Sequence, residues 1–116
     1  MPHVVIEYSH GLEQAYSINE LLATAVHAAT DSGVMDESDI KARAMPYHQF
    51  HLADGGRTFV HVTVRLLAGR TAQEKLHLSS LIRERVVAFA PLVHSTSVEI
   101  SDMDPACYRK RVLREA

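Results

Sequence analysis

Apolar residues recur along this chain in two rhythms, a period of two in short runs and a period near 3.6 in longer ones. His3-Val4-Val5-Ile6-Glu7-Tyr8 is short and rich in β-branched residues, and reads as a strand. Ser17-Ile18-Asn19-Glu20 fits a capping box, in which a hydroxyl and a carboxylate satisfy backbone donors reciprocally. Ile18, Leu21, Leu22, Ala25, Val26 and Ala29 then fall on one helical face, Gly33 is a stop, and a second strand begins near Ile40.

The same order returns in the second half. Phe59 to Ala68 alternates, with Val60, Val62, Val64, Leu66 and Ala68 on one side and His61, Thr63 and Arg65 on the other, beside Phe59 and Leu67. Thr71-Ala72-Gln73-Glu74 is a second capping box, and Leu78, Leu81, Ile82, Val86 and Phe89 form the stripe behind it. Pro91 ends this helix, and Ser97 to Met103 supplies a fourth strand. Asp54-Gly55-Gly56 is the turn between the halves. The expected fold class is α+β: two β-α-β units with right-handed crossovers, forming a four-stranded mixed sheet with both helices on one face. Its other face is left partly apolar, which favours self-association. The expected organisation is one domain over residues 1–116, with pseudo-repeats 2–54 and 57–104 and a tail 105–116.

Composition narrows the classes. The chain has 116 residues, 47 % of them hydrophobic, with 12 basic and 14 acidic side chains for a net charge of −2. That balance argues against nucleic acid or an anionic membrane as a partner, since both select a basic surplus. The longest apolar run, Val86 to Ala90, stops at Pro91, and the start lacks the basic and apolar regions of a signal peptide. One cysteine, Cys107, excludes an internal disulfide framework, so the expected compartment is the cytoplasm.

Pro2 is the first candidate for chemistry. Its small side chain permits removal of Met1, which exposes a secondary amine. Model α-amino groups titrate at about 7.7–8.0, and burial and nearby cations lower that value, giving a base poised near neutrality. Arg70 follows Gly69 and precedes the Thr71 cap, where a guanidinium joined to helix N-terminal donors would hold a carboxylate. If the first and third strands are antiparallel neighbours, Pro2 and Arg70 meet. Lys41 and Arg43 share a strand face and offer a second anion site.

The eight histidines are weaker candidates. His48 and His51 are three apart, which in a strand places them on opposite faces; His3 and His61 are expected to neighbour each other in the sheet, without a third ligand. No metal and no organic cofactor are therefore expected. Cys107 reads as an inert thiol, and Arg109-Lys110-Arg111 as a solvated charge run.

Met1-Pro2-His3, Ile40-Lys41-Ala42-Arg43, Ala53-Asp54-Gly55, Phe59-Val60-His61-Val62-Thr63 and Ala68-Gly69-Arg70 together resemble the tautomerase superfamily, most closely its 5-carboxymethyl-2-hydroxymuconate isomerases. The resemblance implies a homotrimer with sites near subunit boundaries, acting on a small anionic unsaturated di- or tricarboxylate in the degradation of aromatic compounds. It implies that Pro2 shuttles a proton while Arg70 and Arg43 bind carboxylates. Lys41 stands where an arginine is expected, keeping charge but losing bidentate geometry. Dehalogenation or decarboxylation of other unsaturated acids, and a non-catalytic trimeric binding module, are alternatives on the same scaffold.

Overall fold

The computed structural model describes residues 1–113; the last three residues of the expected tail, 114–116, lie outside the described residues. Strand β1 (His3–Ser9) leads through a 3-10 turn at Leu12–Gln14 into helix α1 (Ile18–Asp31), and a second 3-10 turn at Glu37–Asp39 precedes strand β2 (Lys41–Tyr47). The second unit is strand β3 (Phe59–Leu67), helix α2 (Ala72–Phe89) and strand β4 (Ser95–Met103). The sheet runs β2-β1-β3-β4. β1 pairs parallel with β2 and antiparallel with β3, and β3 pairs parallel with β4.

Alternation sets the layers. Val4, Ile6, Val60, Val62, Val64 and Leu66 are fully buried under Leu21, Ala25, Ala28 and Ala29 of α1 and Leu78, Ile82 and Val86 of α2. At about 25 cal/mol per Å² of apolar surface, this single seam is the main favourable contribution to folding. Val26 is only half-buried, whereas Ala28 enters the core, so the inward stripe of α1 sits slightly off the expected one. Ala68 falls beyond β3 and is exposed. β4 begins at Ser95, two residues before the expected start, because Ser95 N–H reaches the Thr58 carbonyl at 3.2 Å.

The two caps differ. Thr71 Oγ1 accepts from Glu74 N–H at 3.1 Å, and the Glu74 carboxylate accepts from Thr71 N–H at 2.9 Å, a complete capping box. At α1 only half of the expected box forms: Ser17 Oγ accepts from Glu20 N–H at 3.3 Å, with no return bond from the Glu20 side chain. The expected proximity of His3 and His61 fails on register. His3 lies opposite Arg65 on β3, whereas His61 lies opposite Glu7, near the other end of β1. No helix among the described residues is long and apolar enough to cross a membrane.

Candidate active site

Antiparallel pairing of β1 with β3 brings the start of one to the end of the other. Pro2 and Arg70 accordingly line one cavity of about 330 Å³, with Met1, Leu67 and the segment after α1: Gly33, Val34, Met35, Asp36 and Asp39. Pro2 is buried, and its carbonyl accepts from Lys41 N–H at 3.0 Å, continuing the parallel ladder one step beyond β1. In the structure Met1 precedes Pro2, so the Pro2 nitrogen is an amide. The free amine at Met1 is held below its ordinary value by burial first, then by Lys110, with Arg70 and Lys41 adding to the effect and Asp39 opposing it. This end of the sheet therefore favours a neutral amine.

Arg70 is placed by the turn before it. Gly69 has φ +136, a conformation that side chains oppose, and nothing lies within 4 Å of where its Cβ would be. The constraint is backbone freedom rather than space. The Arg70 guanidinium donates to the Leu67 carbonyl at 3.1 Å and the Val34 carbonyl at 3.4 Å, tying the end of β3 to the loop after α1. A guanidinium has five N–H donors, so these bonds fix its direction and leave donors for a carboxylate.

The expected help from the α2 N-terminus is reduced. Thr71 N–H and Glu74 N–H are both satisfied within the capping box, and the Glu74 carboxylate already occupies that positive end. Its pKa is lowered by the Thr71 backbone bond first, then by the Thr71 side chain and by Arg70. The Arg70 guanidinium is the cationic side chain that lines the cavity.

Lys41 and Arg43 share the open face of edge strand β2, as their spacing predicts, but neither lines the Pro2 cavity. Arg43 borders a separate hollow of about 180 Å³ with Val5, Glu7, Met45 and Tyr47. Its Nη1 donates to His3 Nδ1 at 3.1 Å. The His3 pKa is lowered by burial first, then by Arg43, the amino terminus, Lys41 and Arg65.

Sequence reasoning finds Pro2 and Arg70 but misses Val34, Met35, Asp36 and Asp39. Two apolar residues directly after the Gly33 stop are the only signal that this loop returns to the molecule. His48 stacks on His10 with ring centroids 4.0 Å apart, and the described residues contain no group of three metal-ligating side chains. Cys107 is exposed.

A family model described as 5-carboxymethyl-2-hydroxymuconate isomerase matches residues 2–111. No protein of curated function matches the chain. Among solved structures, a 5-carboxymethyl-2-hydroxymuconate delta-isomerase is 22 % identical, with 97 % of this chain and 88 % of that one covered at a TM-score of 0.76. A 5-carboxymethyl-2-hydroxymuconate isomerase from Deinococcus radiodurans R1 is 25 % identical over 95 % of this chain and 88 % of that one, with a TM-score of 0.72. A symmetric trimer of wild-type fused 4-OT is 19 % identical over 88 % and 85 %, also at 0.72.

Proposed function

The chain belongs to the 5-carboxymethyl-2-hydroxymuconate isomerase family, and from that premise we propose that it isomerises an unsaturated 2-hydroxy polycarboxylate, with the amine of Pro2 as base and acid. The substrate that fits best is 5-carboxymethyl-2-hydroxymuconate. The observation that carries this reading is the convergence of Pro2 and Arg70 on one cavity.

The steps follow from those two groups. Removal of Met1 turns the Pro2 nitrogen into a secondary amine, kept neutral by burial and by the surrounding cations. The amine takes the 2-hydroxyl proton of the dienol. The O–H electron pair becomes part of the new C=O bond, the conjugated double bond shifts, and the distal carbon takes a proton back from the prolinium. Arg70 holds the adjacent carboxylate and stabilises the negative charge that develops on the 2-oxygen. Neither step calls on a metal or an organic cofactor.

Lys41 and Arg43 enter through assembly. Neither lines the Pro2 cavity of its own subunit, so in a homotrimer they serve the site of a neighbouring copy. The related fused 4-OT is a symmetric trimer, which supports this arrangement.

The test is an ultraviolet assay of 5-carboxymethyl-2-hydroxymuconate conversion by protein shown by intact mass to lack Met1. Enzyme-dependent turnover is expected, with Pro2→Ala lowering kcat by about 10²–10⁴. Arg70→Ala is expected to lower kcat/KM by about 10² or more. Absence of conversion by processed protein retires this substrate in favour of other unsaturated acids.

A further inference from the structure

Taking Pro2 as the reacting group, we propose that the C-terminal tail is part of the same site: Tyr108, anchored on His3, holds Lys110 at the open end of the Pro2 cavity, where its ammonium receives a further carboxylate of the substrate.

The anchor is a defined set of contacts. Arg43 can only donate, so His3 Nδ1 accepts its hydrogen bond, and the proton of the neutral ring lies on Nε2. Nε2–H is then directed at Tyr108 Oη, 3.0 Å away, with the two rings edge to face at 6.0 Å and 76°. Behind Tyr108 the chain leaves β4 through a tight turn. The Asp104 carbonyl accepts from Cys107 and Tyr108 N–H, both at 3.2 Å, and its carboxylate accepts from Ala106 N–H at 2.9 Å. Arg109 folds back onto the Pro105 and Tyr108 carbonyls. The tail is thus tied to the residue that follows Pro2, and Lys110 comes two residues later, within about 7 Å of further chain.

Within one chain the cavity is short of cations. Its lining sets one guanidinium, Arg70, against two carboxylates, Asp36 and Asp39. A substrate with several carboxylates would meet repulsion there unless charges outside the lining offset it, and beside Lys41 and Arg43 of a neighbouring copy Lys110 is such a charge from the same chain. The charged groups facing the amino terminus are Lys110 from the tail, Asp39 from the turn before β2, Arg70 from the β3–α2 loop and Lys41 from β2. Lys110 has the largest influence of the four on the Met1 amine, after burial itself. Once Met1 is removed, a single ammonium there would act on the Pro2 amine and on the substrate together, disfavouring the charged amine and attracting the distal anion.

The experiment uses full-length protein lacking Met1, with Lys110→Ala, Lys110→Arg and Tyr108→Phe. The Pro2 amine is titrated by ¹⁵N NMR without substrate, and kcat/KM is measured for 5-carboxymethyl-2-hydroxymuconate and for a monocarboxylate enol. Loss of the cation raises the amine pKa, so the acid limb of the pH profile moves to higher pH in Lys110→Ala. The ratio of tricarboxylate to monocarboxylate kcat/KM falls about two- to five-fold. Lys110→Arg restores both, and Tyr108→Phe moves both in the same direction as Lys110→Ala. An unchanged titration with an unchanged ratio overturns the tail proposal, even in an enzyme that turns over its substrate normally. A shifted titration in a protein that turns over neither substrate keeps the tail at the site and overturns the substrate reading instead.

Discussion

The two faces of the sheet follow different rules, although every second residue of the same strands belongs to each. Beneath the helices, Val4, Ile6, Val62, Val64 and Leu66 have no exposed surface and pack into one apolar cluster. On the open face, side chains are joined by directed bonds. His61 Nε2–H is aimed at the Glu99 carboxylate 2.9 Å away, and Nδ1 lies 2.6 Å from the Ser97 hydroxyl. Thr63 donates to the same carboxylate at 3.2 Å, and Tyr47 donates to Glu7. The covered face stores stability in area, which tolerates apolar side chains of the right volume. The open face stores specificity in partners, and its bonds are exposed to solvent and to pH.

Substitutions can separate these rules. The largest effect is expected from Leu66→Ala, which removes a fully buried side chain and should cost about 2–5 kcal/mol in urea unfolding. Val62→Thr comes next, at about 1–3 kcal/mol, because it places an unpartnered hydroxyl in the core. Its neighbour sharpens the contrast: Thr63→Val, one residue along and on the other face, should cost less, since Glu99 keeps its bond to His61. Equal losses for these two variants would mean that the faces do not differ as described.

The smallest effect is expected from acid. The Glu99 carboxyl is held below its usual value by the His61 bond first, then by Thr63, and Asp54 is lowered by His94 and by Gly56 N–H. A depressed carboxyl stabilises the fold above its unfolded pKa, near 4 for both types, and that contribution is lost as pH falls through the lower folded value. Melting temperature should therefore fall below about pH 4, and Glu99→Gln should flatten that slope. An unchanged slope would show that the open-face network adds nothing to stability in the isolated chain.

Most of the fold was legible because periodicity and caps report the same elements. The run from Phe59 to Leu67 alternates without interruption, and the Thr71 box marks the start of α2 unambiguously. Pro2 and Arg70 converge once β1 and β3 are taken as antiparallel, so the centre of the site was legible too. The remainder depends on features with no period. Met35, Asp36 and Asp39 reach the cavity through a loop, whose path is set by tertiary contacts such as the Arg70 bond to Val34. Ser17 caps α1 alone because a capping-box spacing states an opportunity for the Glu20 side chain, not its rotamer. The His3–His61 expectation shows the same limit: alternation assigns a face, whereas distance along that face depends on register, which the pattern leaves free.

The bond from Lys41 N–H to the Pro2 carbonyl has a practical consequence. The sheet grips Pro2 through its oxygen, and the nitrogen, having no hydrogen in the unprocessed chain, contributes nothing to the ladder. Cutting the Met1–Pro2 bond therefore removes no rung from the sheet. Processed and unprocessed molecules should melt alike and elute alike, and with Pro2 as the proposed base only the processed one turns over substrate, so purity judged by folding says little about potency. On that proposal, the dose of active enzyme in a preparation is the count of its free secondary amines, and removal of Met1 is where that count is set.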